Sequence, residues 1–301
     1  MARIVVCGLI NIETTLKVDT FPVPYQPVHY AFNRIHSSVS GVGFNVALAL
    51  HTLGHEVTLL SLVGRDAAGA LAQRELAAAG LSTGGLIDAV EETAQSVILY
   101  DGNGRRAIHV DLKAMQEQAY PLERATPHLE RAELAVLCNI NFARPLLAAA
   151  RAHGVRIATD VHVLRDVHDE YNRDFMAHAD ILFMSDEGAA PTADVFGVRV
   201  LDTYPAQELV IGCGAQGALL LERAREPRKI PAARPRPIVS TIGAGDALFS
   251  AYLHGRLSRR SPAESLRLAT FFAGYKIGES SAAKGFLTAQ GLESMAVSLG
   301  P

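Results

Sequence analysis

Residues 239–253 have the sequence VSTIGAGDALFSAYL. The stretch combines the end of an apolar strand, a turn with two glycines, and a segment with apolar residues at helical spacing. Asp246 stands where this helix is expected to begin. Gly243, Ala244 and Gly245 are too small to shield their backbone N–H groups, and the first N–H groups of a helix lack internal partners. The turn is therefore a predicted anion site.

A carboxylate beside a predicted anion site has two explanations. In the first, Asp246 is an ordinary helix cap, because Asp is favoured at that position for stability alone. In the second, a phosphate binds the turn, and Asp246 takes a proton from an attacking hydroxyl or works beside a metal ion. That arrangement is the pattern of phosphoryl transfer. Local chemistry does not separate the two explanations.

Composition and charge exclude several classes of protein. The chain has 301 residues, 49% apolar and 20% charged, which suits one large globular α/β unit. The formal net charge is −3, so we expect no nucleic-acid partner. No apolar run is long enough for a signal peptide or a membrane span. The three cysteines are far apart in apolar surroundings and are interpreted as buried free thiols, which predicts a cytoplasmic protein.

The order of apolar runs predicts the class of fold. Residues 4–7 and 56–63 are typical of buried strands, and strands alternate with helical segments from residue 133 onward. Such alternation is typical of a parallel sheet with crossover helices. Residues 18–40 instead contain three prolines and alternating apolar residues, and residues 95–111 form two alternating segments joined by DGNG. These regions are predicted to be exposed strands outside the buried sheet.

The turn resembles a known signature. TIGAGD, residues 241–246, is similar to the DTxGAGDxF motif of the ribokinase, or pfkB, family of carbohydrate and nucleoside kinases. Ser240 stands where the family usually has Asp, and Leu248 where it usually has Phe. The resemblance implies that Asp246 is the base that activates the acceptor hydroxyl. It implies an anion hole for the transferred phosphate at the three turn residues, Gly243, Ala244 and Gly245.

Two earlier motifs support the resemblance and imply the acceptor site. GLINIE at residues 8–13 is similar to the family's GxxNxD, with Glu in place of the last Asp, and SGVGFN at residues 40–45 is similar to GGxxxN. The implied acceptor-binding residues are Asn11, Glu13, Gly41, Gly43 and Asn45. A dinucleotide-binding fingerprint competes for the glycine turn, but Val46 occupies the place of its third glycine.

The nucleotide and metal side of the implied site matches the family less well. ELVIGCGAQG, residues 208–217, resembles the family's VTxGxxG beside the nucleotide, although an ordinary hairpin turn would use the same glycines. The implied nucleotide-binding residues are Thr241, Gly214 and Gly217. The family's NxxE motif, linked to magnesium, is replaced by SDEG at residues 185–188, where Glu187 is the candidate metal residue. ATP and Mg²⁺ are the implied cofactors, and a monovalent cation is left open.

These observations predict a ribokinase-like α/β fold, with a mostly parallel central sheet flanked by helices. Residues 1–301 form one domain, with a small β lid inserted at residues 12–38 and 93–112, through which a homodimer could form. The predicted function is ATP-dependent phosphotransfer to a hydroxymethyl group of a small sugar or sugar-like acceptor. The alternatives are a nucleoside kinase, a catalytically weakened binding or regulatory member, and a dinucleotide-dependent enzyme.

Overall fold

The computed structural model describes residues 1–102 and 104–298. The strands are β1 Arg3–Cys7, β2 Asn11–Lys17, β3 Ile35–Ser40, β4 Glu56–Gly64, β5 Leu86–Val90, β6 Gln95–Tyr100, β7 Arg106–Asp111, β8 Leu134–Leu137, β9 Arg156–Val163, β10 Ile181–Ser185, β11 Glu208–Gly212, β12 Ala218–Glu222 and β13 Arg228–Ile230. The α-helices are α1 Val42–Thr52, α2 Ala67–Ala78, α3 Leu122–Leu129, α4 Pro145–Ala152, α5 Arg173–His178, α6 Ala193–Thr203, α7 Ala244–Leu257, α8 Pro262–Lys276 and α9 Ala289–Ser298.

The central sheet has nine strands in the order β13-β12-β11-β10-β9-β8-β1-β4-β5. Every neighbouring pair from β11 to β5 is parallel, and β12 and β13 add an antiparallel edge. Strands such as β1 and β8 are almost wholly buried, as expected for parallel strands covered on both faces. The predicted α/β class with a mostly parallel central sheet is confirmed. No helix in the described part of the chain is both long and apolar enough to cross a bilayer.

A second sheet of four strands, β3-β2-β6-β7, stands apart from the central one. We call it the lid sheet. Its strands overlap the segments predicted as a lid, residues 12–38 and 93–112, but β2 begins one residue earlier, at Asn11, and β3 ends two residues later, at Ser40. The turn that joins β6 to β7 includes Asn103, which lies outside the described residues, as do residues 299–301 of the predicted domain. Asn11 pairs with Ser40, so the base of the lid sheet lies where β1 and α1 meet.

Helix α7 packs across the central sheet through aromatic side chains. The ring of Phe183 on β10 lies 4.6 Å from that of Phe249 and 5.3 Å from that of Tyr252, measured between centroids. Such offset and edge contacts hold the rings in a defined geometry. The helix therefore has a fixed position, and its first turn lies at the carboxyl ends of the parallel strands.

A largely buried ion pair adds a polar anchor to α7. The carboxylate of Glu208 on β11 accepts hydrogen bonds from Tyr252 Oη at 2.6 Å and from Arg256 Nη2 at 2.8 Å. Arg256 Nε also donates to both carboxylate oxygens, at 3.0 and 3.1 Å. Because every described partner is on α7, the network joins that helix to the sheet. It fixes the direction in which the first turn of α7 points.

Replacing Arg256 tests this anchor. In Arg256→Met the Glu208 carboxylate keeps only Tyr252 among these partners, so we expect the free energy of unfolding to fall by about 3–5 kcal/mol. Urea denaturation measures the change. The control is Arg225→Met, which removes the exposed ion pair with Glu222 and should cost less than about 1 kcal/mol. Equal losses in the two variants would contradict the anchoring role of Glu208 and Arg256.

Candidate active site

A cavity lies between the lid sheet and the carboxyl ends of β1 and β9, where ligands bind in open α/β sheets. It brings together residues that are far apart in the sequence. Among the residues predicted for the site, those that line it are Asn11, Glu13, Gly41, Asn45, Gly243, Gly245 and Asp246. The first four come from the amino-terminal motifs, and the last three come from the glycine turn.

Asp246 lies in the first turn of α7, and its Oδ2 accepts a hydrogen bond of 2.7 Å from Nδ2 of Asn45. Burial raises the pKa of this carboxyl above its usual value, and the Asn45 hydrogen bond opposes that rise. The charge of Asp160 raises the pKa further, whereas His162 and Lys276 lower it. Asp246 is thus a carboxylate with increased basicity, held in one orientation by Asn45.

Two glycines of the turn line the cavity, and only one of them, Gly245, has open space where a side chain would be. Gly243 caps α7 in the left-handed region, with φ of 77°, and a Cβ there would lie 2.9 Å from the carbonyl oxygen of Ala282. A Cβ on Gly245 would meet nothing within 4 Å, so this residue borders open space. The Ala244 N–H donates to the Thr241 carbonyl at 3.2 Å. An anion could therefore approach the helix N-terminus at Gly245, and the Ala244 N–H is used within the turn.

Two buried oxygens at the base of the lid sheet lack hydrogen-bond donors in the described part of the chain. Asn11 donates through Nδ2 to Ser96 Oγ at 3.0 Å, but its Oδ1 is buried without a partner. Glu13 accepts through Oε2 from Ser40 Oγ at 3.1 Å, and its Oε1 is also buried without a partner. Burial raises the pKa of Glu13. Because unpaired buried acceptors are costly, these oxygens fit a ligand that brings hydroxyl groups.

The two glycines of the SGVGFN motif have different surroundings. Gly41 has φ of 105° and lines the cavity, and a Cβ on it would lie 2.5 Å from the Leu9 carbonyl oxygen. A Cβ on Gly43 would lie 2.4 Å from the carbonyl carbon of Gly8, so Gly43 allows α1 to pack closely on the end of β1. Gly41 follows β3, a lid strand in an antiparallel pair. The turn thus lacks the buried parallel strand that a dinucleotide fingerprint requires.

The residues predicted for nucleotide and metal lie outside this cavity. Gly214 and Gly217 flank the turn between β11 and β12, and Thr241 precedes the glycine turn. Glu187 is exposed just after β10, and its N–H donates to Ser185 Oγ at 3.2 Å. Among the described residues, no group of three His, Cys, Asp or Glu side chains is arranged to hold a metal ion.

The cavity also contains polar residues that sequence analysis did not assign to the site. Asp160 and His162 lie near the end of β9, where the His162 N–H donates to Asp160 Oδ1 at 2.8 Å. Ser96 and Arg106 enter from the lid sheet. A carboxylate near the carboxyl end of a buried parallel strand, as at Asp160, was the one sequence signal that could have identified this group.

Known proteins resemble this chain over nearly its whole length. The model of the pfkB family of carbohydrate kinases matches residues 1–289. An acarbose 7(IV)-phosphotransferase of Actinoplanes sp. is 28% identical over 277 residues, which cover 90% of this chain and 91% of that protein.

Solved structures match over nearly the full length. A microbiome-derived acarbose kinase superposes with a TM-score of 0.88 at 25% identity, covering 98% of this chain and 99% of its own. A ribokinase-like protein of Agrobacterium tumefaciens superposes with a TM-score of 0.86 at 20% identity, covering 99% of both chains, and its likeness shows the fold alone. The predicted ribokinase-like fold is confirmed.

The Asn45 hydrogen bond can be tested without any ligand. Because that bond stabilises the ionised carboxylate, Asn45→Ala should raise the pKa of Asp246. Titration of the aspartate side-chain carbons by ¹³C NMR measures the change, and the Asp246→Asn variant assigns the signal. The control is Asn33→Ala, on the exposed loop between β2 and β3, which should leave the titration unchanged. An unaltered Asp246 pKa in folded Asn45→Ala would contradict the orienting role of Asn45.

Proposed function

Because the chain belongs to the pfkB family of carbohydrate kinases, we propose that this cavity is its phosphotransfer site and that Asp246 is the base. The chain is an ATP-dependent kinase for sugar-like acceptors. The proposed acceptor group is a hydroxymethyl group of a carbohydrate. One observation carries the proposal: the basic carboxylate of Asp246 lies beside the open backbone of Gly245, in the same cavity as the unpaired oxygens of Asn11 and Glu13.

In the proposed reaction, Asp246 accepts the proton of the acceptor hydroxyl while that oxygen attacks the γ-phosphorus of ATP. The bond from the γ-phosphorus to the β–γ bridging oxygen breaks, and ADP leaves with its electron pair. The raised pKa of Asp246 makes it a better proton acceptor than a solvated Asp. Asn45 keeps Oδ2 in one position, so the carboxylate needs little reorganisation when the hydroxyl arrives.

The amino terminus of α7 is proposed as the anion hole. The first N–H groups of a helix have no carbonyl partners inside it and carry partial positive charge. Gly243 and Gly245 line the cavity, whereas Ala244 contributes by shaping the turn, since its N–H donates to Thr241. Charge that develops on the transferred phosphoryl group would be stabilised by dipoles already in place.

The acceptor is proposed to bind between the lid sheet and the ends of the central strands. Hydroxyl groups of a sugar would donate to Asn11 Oδ1 and Glu13 Oε1, which have no donors in the described chain. Ile98 and Ile108 of the lid sheet form an apolar wall of the cavity. Water excluded by this wall could not compete with the acceptor for the γ-phosphate. Acarbose, named for two relatives, is a candidate acceptor.

ATP is proposed to lie at the turn between β11 and β12, near Gly214, Gly217 and Thr241. Mg²⁺ neutralises phosphate charge when it is bound with ATP. Mg²⁺ commonly takes one or two carboxylates together with phosphate oxygens, and the exposed carboxylate of Glu187 after β10 fits such a limited role. Since the described residues hold no three-ligand cluster, phosphate and water oxygens would complete its coordination.

A homodimer through the lid and a cytoplasmic location are further parts of the proposal. Val97 is paired with His109 on the face of the lid sheet opposite the cavity wall and is 44% exposed, which supports a partner lid. Free thiols at Cys7 and Cys138 suit a reducing compartment. Sedimentation that finds only monomers would contradict the dimer, and a location in an oxidising compartment would contradict the cytoplasmic assignment.

An acceptor panel tests the function. With ATP and Mg²⁺, we expect ATP consumption with a carbohydrate among monosaccharides, maltose, maltotriose, acarbose and nucleosides. Asp246→Asn should lower kcat/KM by about 100- to 10,000-fold and leave ATP binding intact, because only proton acceptance is lost. Asp202→Asn, an exposed position on α6, is the matched control.

Each outcome of the panel is decisive. Turnover with nucleosides alone would favour the nucleoside kinase alternative. Binding of ATP and acceptor without turnover would favour a catalytically weakened member. Full activity in Asp246→Asn would remove Asp246 as the base.

Replacing Gly245 should affect activity and stability in different ways. A methyl group at this helix position meets open space, so Gly245→Ala should keep or raise the free energy of unfolding, by up to about 1 kcal/mol. The same methyl group would obstruct the approach of the phosphoryl group to the N–H groups, and kcat/KM should fall by about 100-fold. Gly291→Ala in α9 is the control, with stability changed and activity kept. Unchanged activity in Gly245→Ala would contradict the proposed approach.

A further inference from the structure

Lys276 is a fully buried lysine that the proposed reaction does not use. It is the last residue of α8, its relative exposure is 0%, and its ammonium donates a hydrogen bond to the carbonyl oxygen of Ile242. Ile242 directly precedes the glycine that caps α7. Burying an ammonium lowers the free energy of unfolding unless charged or polar groups compensate for its lost hydration. The surroundings of Lys276 must therefore supply that compensation.

The end of α8 holds the whole segment that enters the glycine turn. The carbonyl of Ile277, next to Lys276, accepts hydrogen bonds from the N–H groups of Val239 at 2.8 Å and Ser240 at 3.0 Å. Lys276 fixes one further backbone group of the same segment by donating a hydrogen bond to the Ile242 carbonyl. Because the C=O and the N–H of a trans peptide point in opposite directions, fixing the Ile242 carbonyl directs the Gly243 N–H away from Lys276, and Gly243 lines the cavity.

Charges around Lys276 explain why it can remain an ammonium. Asp246 on α7, Glu13 on β2 and Glu279 just after α8 favour the charged form, and Arg236 opposes it. Burial is the largest influence and lowers the pKa of Lys276 to about 8. The group therefore carries a positive charge at neutral pH, and it interacts with two of the carboxylates that line the cavity, Glu13 and Asp246.

We propose that Lys276 is a positioning residue that serves as a fixed internal cation behind the anion-hole turn, so that this kinase needs no dissociable monovalent cation. The inference rests on the proposed function of the cavity. The ammonium orients the turn through Ile242 and offsets the negative charge of Asp246 and Glu13 when the phosphates of ATP arrive.

A separate monovalent cation does not fit behind the turn. Such an ion would need several oxygen ligands, and the Ile242 carbonyl already accepts from the Lys276 ammonium. Residue 240, an Asp in the motif that the turn resembles, is Ser in this chain and offers no carboxylate. Its Oγ instead accepts the Ile242 N–H at 3.3 Å. An added cation beside the buried ammonium would also be repelled by it.

The first test uses the unaltered enzyme. Its rate is measured at constant ionic strength with potassium, sodium or choline as the only monovalent cation. We expect rates within about twofold of one another, since the internal ammonium is present in every case. Activation of tenfold or more by potassium over choline would overturn the proposal.

The second test removes the charge and keeps the length of the side chain. In Lys276→Met we expect kcat to fall by about 100-fold, similar to the loss of one anion-hole donor, with little change in the KM of the acceptor. Lys284→Met, at an exposed position after α8, should behave as the unaltered enzyme. Loss of the ammonium should raise the pKa of Asp246 and move the acid limb of the rate profile to higher pH. The fall in rate expected above about pH 8, where Lys276 loses its proton, should disappear.

A readout without turnover separates this proposal from the proposed function. The ¹³C titration of Asp246 should shift to higher pH in Lys276→Met, and added potassium should not alter it in the unaltered protein. An unshifted titration in a folded Lys276→Met would overturn the proposal even if no acceptor were found. If that variant does not fold, the response of the unaltered protein to potassium, in rate or in titration, decides the matter.

Discussion

The hydrogen bond between Asn45 and Asp246 joins the amino termini of two helices that are 201 residues apart in sequence. Each helix begins at a glycine with positive φ, 105° at Gly41 for α1 and 77° at Gly243 for α7. Both amino termini carry partial positive charge, and they converge on one space. A carboxylate is stabilised there by the same dipoles that would stabilise a phosphate. The rest of the fold, including the Glu208 anchor, keeps these two helix ends together.

The cavity holds more negative than positive charge, and this imbalance determines its chemistry. Glu13, Asp160 and Asp246 all line it, and desolvation raises the pKa of Glu13 and of Asp246. A base works best when its pKa lies near the operating pH, so raised basicity favours proton transfer. Too large a rise would leave Asp246 protonated and inactive. His162 and Lys276 lower the pKa of Asp246 and limit that rise.

Sequence analysis predicted the parts of the site whose chemistry is local, and the parts that depend on tertiary packing needed the structure. The adjacent glycine turn and helix start placed Asp246 beside a predicted anion site, and only the resemblance to the family signature supplied its role as the base. Gly41 and Gly43 have the same residue type, yet Gly41 is the non-helical cap before α1, with φ of 105°, whereas Gly43 lies inside that helix. Gly41 lines the cavity, and Gly43 packs against Gly8. Lys276 resembles an ordinary basic residue in the last turn of a helix. Its burial becomes visible only when α8 packs behind the turn.

The lid sheet and the glycine turn share a small apolar cluster, and this contact links the two sides of the cavity. Ile98 of β6 packs with Ile242 of the turn and with Ala282, and all three are buried. Ala282 also lies directly behind Gly243, where a Cβ would meet its carbonyl oxygen. Protein interiors are closely packed, so a shift of β6 must move Ile242 or open a void. An acceptor that binds Asn11 and Glu13 and so fixes the lid sheet would therefore also fix the backbone of the glycine turn, where the phosphoryl group binds.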